Sequence, residues 1–235
     1  MEMKKLNFLE KKLNTKPEVL LDYVKNKNII HYGCIDDSTD IIGSKIKKNI
    51  YLHKILTDYS ANCVGIDINL DIMEYLDKHY QVSNIRYGNV ENPETFDLDI
   101  DQLKKVDVLV IPDLIEHLNN PGKMIDSIRK YYSPNVKVIL LTPNPFSYLN
   151  FVFTLLGREF YNAYHTCYFS TNNMKVLLKN HKIKITKIRP VFMPKDRSWI
   201  VRVIDKGINY FLTIFTYGFC DNYLYECELE DEKEI

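Results

Sequence analysis

The stretch Asn28-Ile-Ile-His-Tyr-Gly-Cys-Ile-Asp-Asp37, followed after a helical segment by Cys63-Val-Gly-Ile-Asp-Ile68, decides how this chain is read. A β-branched run that stops at Gly33 reads as a buried strand entering a tight turn, and the second run ends on an acid, Asp67. Strand, turn, helix, strand and carboxylate form the opening unit of an α/β sheet whose ligands sit beyond the carboxyl ends of parallel strands.

The residues of the turn discriminate between ligands. A turn that cradles a pyrophosphate needs several glycines and a bare helix N-terminus, because backbone N–H groups must approach phosphate oxygens closely. Here Gly33 stands alone, and Asp36, Asp37 and Ser38 occupy the places of the later glycines. Two carboxylates beside a doubly negative pyrophosphate repel it by roughly a few kcal/mol at a surface-like dielectric. S-adenosylmethionine carries no phosphate, and its methionine end bears an ammonium and a sulfonium, so acids suit it. Asp67 then accepts hydrogen bonds from ribose hydroxyls at the tip of the second strand.

The remainder of the chain is consistent with one such domain over residues 1–235. With 235 residues and 46% hydrophobic content it can bury a full core. Lys+Arg and Asp+Glu both number 31, so no overall positive field draws in nucleic acid, and no nucleic-acid partner is expected. Five cysteines (34, 63, 167, 220 and 227) form no C-x-x-C pair, and the odd count fits reduced thiols and a cytoplasmic location. The longest apolar stretches, 148–156 and 208–220, are too short and too interrupted to span a bilayer.

In order, Thr15-Lys-Pro-Glu18 is a capping-box spacing with proline in the first turn and predicts a helix to about residue 25. Strands are predicted over 29–32 and 63–67, with a helix over 44–59 between them. The separation of Gly33 from Asp67 exceeds the roughly 20 residues of the dinucleotide pattern, and an extended loop over 35–43 is expected to absorb the excess. A helix over 71–78 and a strand near 84–87 follow. Asn89 beyond that strand can reach an adenine edge or simply make the Gly-Asn turn. The run Val106-Asp-Val-Leu-Val-Ile-Pro112 drives a buried strand straight into Asp113, Glu116 and His117. A helix over 122–132 and a strand over 136–141 come next. The aromatic segment 146–168, with Phe151, Phe153, Phe160, Tyr161, Tyr164 and Tyr168, reads as a lid over the site or an apolar homodimer face. Residues 204–218 read as a helical insertion.

These pieces resemble class I S-adenosylmethionine-dependent methyltransferases, in the broad small-molecule group that includes the ubiquinone-type methylases. The matching motifs are His31-Tyr-Gly-Cys, Val64-Gly-Ile-Asp-Ile, Tyr87-Gly-Asn-Val-Glu, Glu116-His-Leu-x-x-Pro121 and Leu140-Leu-Thr-Pro-Asn. The likeness covers about residues 28–192, with 219–229 as the final strand. It implies a Rossmann-like, doubly wound, seven-stranded and mostly parallel sheet with a final antiparallel strand. It also implies S-adenosylmethionine as cofactor, with S-adenosylhomocysteine as product. The contacts it implies come from Tyr32, Gly33, Cys34, Asp36, Asp67, Ile68, Asn89, Val90, Pro112, Asp113 and Leu114. The family's first motif usually continues Gly-x-Gly, whereas Ile35-Asp36 stands here.

Methyl transfer from a sulfonium is an in-line displacement helped mostly by positioning, and a hydroxyl acceptor benefits from a base such as histidine. His117 and His165 are the catalytic candidates. Glu116 is expected to face solvent or bond backbone, and His31 to be a core or cofactor-flanking residue. No metal site is expected, because no histidine pair has the i, i+4 helix spacing of H-E-x-x-H and no Cys/His set has zinc spacing. Three functions stay open. The first is a methyltransferase for a small-molecule acceptor, an O-methylated sugar or sugar-like metabolite. The second is a nicotinamide-dependent oxidoreductase or epimerase, and the third a catalytically silent methyltransferase-like scaffold.

Overall fold

The computed structural model describes residues 14–159, 162–193 and 217–230, together with Gly207 and Phe211. In chain order come β1 (Asn14–Thr15), α1 (Lys16–Val24), β2 (Asn28–Tyr32), α2 (Thr39–Lys47), α3 (Leu52–Tyr59), β3 (Asn62–Asp67), α4 (Leu70–Tyr80) and β4 (Ile85–Tyr87). Then follow β5 (Val108–Pro112), α5 (Pro121–Tyr131), β6 (Lys137–Pro143), α6 (Tyr148–Leu155), α7 (Thr171–Asn180), β7 (Ile183–Phe192) and β8 (Asn222–Leu229). One sheet takes all eight strands in the order β1-β7-β8-β6-β5-β2-β3-β4. Only β8 runs against its neighbours, β6 and β7. The seven expected strands are all there, and the two-residue β1 adds an eighth at the edge, parallel to β7.

Successive side chains of a strand point to opposite faces, and both faces here are covered. Ile30, Leu109, Ile111, Val138 and Leu140 pack with Met124, Ile125 and Ile128 of α5 and with Met174 and Leu178 of α7. Ile29, Val108, Val110, Ile139 and Leu141 pack on the other face with Val19, Leu20 and Val24 of α1 and with Leu56 of α3. Burial on both faces is why β5 reads as a near-continuous apolar run. A third cluster joins Ile42 of α2 to Ile72 and Leu76 of α4.

From β2 the chain moves outward to β3 and β4, then returns to the other side of β2 for β5. That reversal leaves a crevice beyond the carboxyl ends of β2 and β5, the usual ligand position in such sheets.

The segment between Gly33 and Asp67 differs from expectation. Instead of a long loop and one helix, residues 34–38 make a short loop and two helices follow. Ser38 Oγ caps α2 by accepting from Ile41 N at 3.3 Å, and Asn49, at φ 55°, ends that turn of chain before α3. The excess length is therefore stored in an added helix, not in a floppy connection. The capping box predicted for α1 forms, with Thr15 N donating to Glu18 Oε2 at 2.8 Å. The predicted insertion 204–218 lies outside the described residues except for 207, 211, 217 and 218.

Candidate active site

Gly33 turns the chain out of β2 at φ 64°, and a Cβ there would come within 2.9 Å of Leu114 Cδ1, so the position is restricted to glycine twice over. Ile35, where a second glycine was expected, does not have positive φ. Its amide donates to Asp67 Oδ2 at 2.9 Å. Oδ1 of Asp67 accepts from Ile68 N at 2.8 Å and Asn69 N at 3.2 Å. A carboxylate has about four acceptor positions, so one remains for a ligand hydroxyl. Burial pushes the Asp67 carboxyl upward, opposed by these three N–H groups. Beside it Ile68 lies 66% exposed, an aliphatic surface at the strand tip.

The acids of the crevice are not bare. Asp36 pairs with Lys45 at 2.5 Å. Asp113, held at φ 49°, receives Lys16 Nζ on one oxygen and Asn222 Nδ2 at 2.9 Å on the other. Burial lowers the Lys16 ammonium to about 8, against the pull of Glu116 and Asp36. The turn is therefore a mixed-charge surface of two carboxylates and two ammoniums. Of the two acids the sequence set against a pyrophosphate, Asp36 is matched by Lys45 and repels it less than the sequence implied, while Asp37 is exposed.

Of the other expected contacts, Tyr32 is fully buried and its hydroxyl accepts from Tyr132 at 2.8 Å, so the core holds its ring and only its backbone borders the turn. Cys34 is buried, and its carbonyl accepts from Tyr51 at 2.9 Å. Burial pushes its thiol upward, as expected of a packing residue. Asn89 makes its own turn, with Oδ1 accepting from Glu91 N at 2.9 Å. Val90 and Pro112 are buried, and Leu114 packs over Gly33.

Beyond β5 the two candidate histidines meet. Their rings lie 4.7 Å apart, edge to face, although 47 residues of chain separate His117 from its partner's neighbour Tyr164. Loop-to-loop bonds hold the pairing. Thr166 N and Cys167 N donate to Glu116 O at 2.8 and 3.2 Å, and His117 Nδ1 lies 3.1 Å from Tyr164 O. A carbonyl only accepts, so Nδ1 of His117 is the donor there, and Nε2 is left for another partner. Burial and the neighbouring His117 lower His165. Cys167 makes no pair with an imidazole; its sulfur lies 3.8 Å from the carbonyls of Ile115 and Glu116.

Glu116 is the correction here. It is 1% exposed instead of solvent-facing, with Oε2 accepting from Thr142 Oγ1 at 3.1 Å and Oε1 sealed from solvent without a partner. Burial raises its carboxyl to about 7. Glu116, His117 and His165 bring ligand-capable atoms within 4.8 Å of one another, a grouping across two loops that no helix-spacing rule reveals.

Sequence reasoning also missed Lys16, Lys45, Thr142 and Asn222. Lys16 sat in a recognised capping box, but nothing there announces that its side chain crosses to β5. His31 is buried as expected, yet with an unforeseen partner, His53, at 3.2 Å between Nδ1 atoms. A hollow lined by Asn28, Asn62, Val64, Gln102 and Val106 lies at the strands' amino ends, away from these groups, and has none of their chemistry.

Residues 6–187 match a family described as a methyltransferase domain. The chain belongs to that methyltransferase family. It aligns with the structure of an S-adenosylmethionine-dependent methyltransferase from Archaeoglobus fulgidus at 16% identity and a TM-score of 0.57, over 90% of this chain and 92% of that one. A magnesium protoporphyrin IX methyltransferase from Synechocystis, solved with S-adenosylhomocysteine, aligns at 13% identity and a TM-score of 0.54, over 91% and 80%. At such identities the likeness speaks for the fold. Over 125 residues the chain is 25% identical to a protein N-terminal and lysine N-methyltransferase of Candida glabrata, covering 51% of this chain and 46% of the relative. The chain thus spans just under half the length of that relative. Family and fold bear out the expected methyltransferase class. No helix among the described residues is long and apolar enough to cross a membrane.

Proposed function

We propose that this methyltransferase methylates a hydroxyl oxygen of a small molecule, a sugar or sugar-like metabolite. The observation that carries the proposal is the Glu116, His117 and His165 cluster, braced by Thr142 and Thr166 just beyond β5. Tyr168 meets His165 edge to face at 5.5 Å, and Tyr164 is 70% exposed nearby, aromatic surfaces suited to a sugar ring.

S-adenosylmethionine, when bound, supplies a methyl carbon on a positively charged sulfur. The remaining acceptor position of Asp67 would take a ribose hydroxyl, and Ile68 would offer the adenine an aliphatic face. Asp36 and Asp113 would face the ammonium of the methionine end, and Lys16 its carboxylate. The mixed charge of the turn therefore fits an amino-acid zwitterion. His117 and His165 would draw the proton from the acceptor hydroxyl as it is held in line with the methyl carbon.

The relative that methylates protein N-termini and lysines makes a polypeptide amine the second reading. Transfer of labelled methyl groups to a panel of sugars and glycosides, run beside peptides with free N-termini and lysines, separates the two. Label on hydroxyls supports the proposal. Label confined to peptide amines overturns it.

A further inference from the structure

We propose that Glu116, His117 and His165 form a binding site for one divalent transition-metal ion of the zinc or cobalt type. The inference rests on the acceptor site proposed above and deepens it. Two imidazoles and one carboxylate are a known donor set for such ions, and three protein ligands leave a coordination position open, as in catalytic rather than closed structural sites.

Three features of the molecule carry it. The ligand-capable atoms lie within 4.8 Å of one another. Around a tetrahedral ion with bonds of about 2.0–2.1 Å they would stand about 3.3 Å apart, a closure within reach of side-chain rotation. Two of the polar atoms, Glu116 Oε1 and His165 Nδ1, are shut away from water with no partner among the described residues, although Glu116 itself is 1% exposed. Buried polar groups are ordinarily satisfied, and a cation satisfies both at once.

The third feature is the surrounding support. His117 Nδ1 donates to the Tyr164 carbonyl at 3.1 Å, which leaves Nε2 as the free donor atom, and Thr142 donates to the other Glu116 oxygen at 3.1 Å. Outer partners of this kind orient metal ligands. Thr166 Oγ1 lies 3.0 Å from Glu116 O and 2.7 Å from Leu118 O, tying the loop that carries His165 to the turn that carries the other two.

With the ion bound, the histidines act as ligands in place of the base role they have without it, and the acceptor hydroxyl takes the open position. The O–H bond breaks with its proton passing to water. The oxygen then forms the new O–C bond while the C–S bond breaks, its electron pair staying on sulfur.

The test uses the whole chain, stripped with chelator and dialysed against cobalt(II) or zinc(II). Expected are one tightly held ion per chain by elemental analysis and a visible cobalt band typical of imidazole and carboxylate ligation. Glu116→Gln and His165→Asn should each weaken zinc binding at least 100-fold. Both variants should still bind S-adenosylhomocysteine, which shows that the fold persists. Wild-type protein that binds S-adenosylhomocysteine but gives no cobalt band overturns the metal site and leaves the methyltransferase reading standing. Zinc binding equal in wild type and variants overturns it as well. Should Glu116→Gln fail to fold, the partly exposed His165→Asn and the wild-type cobalt spectrum still decide the matter. Loss of S-adenosylhomocysteine binding by wild type alone would instead refute the cofactor crevice.

Discussion

Replacing Asp67 by asparagine tests the crevice most directly, because one carboxylate there holds both the loop and the proposed ribose contact. Its Oδ2 accepts from Ile35 N at 2.9 Å, and Oδ1 from Ile68 N and Asn69 N. The last two bonds are local, made to the residues that directly follow Asp67. The first ties the 34–38 loop to β3 across the sheet's edge. A hydrogen bond to a charged acceptor contributes about 1.5–3 kcal/mol, and an amide oxygen can keep only part of this set. A loss of about 2 kcal/mol of stability follows, and for a chain of this size each kcal/mol moves the melting point by about 2–4 °C. The melting point should therefore fall by about 4–8 °C. The single acceptor position left for ribose adds a further charged bond, about 1.5–3 kcal/mol, so S-adenosylhomocysteine should bind about 10- to 150-fold more weakly. Thermal unfolding and titration calorimetry read the two effects separately. Wild-type affinity in a variant that still folds would refute the ribose role, even if the melting point dropped as expected.

Gly33→Ala forces a Cβ into a left-handed backbone against Leu114, and urea unfolding should show a loss of about 1–3 kcal/mol. Lys16→Met leaves Asp113 with Asn222 alone among its described partners. It should weaken S-adenosylhomocysteine binding several-fold by calorimetry, and unchanged binding would remove Lys16 from the cofactor's carboxylate. His117→Ala and His165→Ala should each cut turnover about 100-fold or more while cofactor affinity stays within two-fold. Burial holds His31 well below 6.5 and His53 at about 4. Folding thus favours their neutral forms. The stability they allow is fully present above about pH 6.5 and is lost as pH falls toward 4, by a few kcal/mol. Urea midpoints from pH 7 to 4 should show the slope, and His53→Phe should flatten it.

The sheet was legible because its signal is local and repeated. Short β-branched runs such as Val108-Leu-Val-Ile, closed by Pro112, favour strands buried on both faces, and Gly33 and Asp67 mark where two others end. What could not be read was anything that depends on one segment crossing another. Glu116 looks like any acid in a polar turn until Thr142 and the returning 162–170 loop close over it. The rule used to dismiss a metal asked for ligands on one helix, whereas these come from a tight turn after β5 and from a loop after α6. Likewise Ser38 and Asp40 signal a helix start, but counting residues between Gly33 and Asp67 against a dinucleotide template turned that helix into a loop. The aromatic segment was visible as composition, yet composition does not say which side faces the site. In the folded chain Phe151 and Leu155 of α6 are exposed while His165 turns inward.

Charge in the crevice was anticipated in kind and missed in balance, and the balance bears on ligand choice. Bare acids at 36 and 113 would favour any cation. Acids matched by Lys45 and Lys16 favour a ligand that brings both signs at a fixed separation, because each end then replaces a partner instead of adding an unpaired charge to a partly buried site. An amino acid's ammonium and carboxylate meet that condition. A pyrophosphate brings only negative charge, would compete with Asp36 and Asp113 for the lysines, and finds one glycine where its oxygens need several close N–H groups. The preference for a methionine-bearing nucleoside over a dinucleotide therefore survives the loss of the simple repulsion argument. It now rests on complementarity, and it makes a sharper demand. 5′-Methylthioadenosine, which keeps the adenosine and the sulfur but lacks the amino-acid end, should bind far more weakly than S-adenosylhomocysteine to wild type. Lys16→Met should narrow that gap, and a gap the variant leaves unchanged would mean that the paired charges only hold the fold.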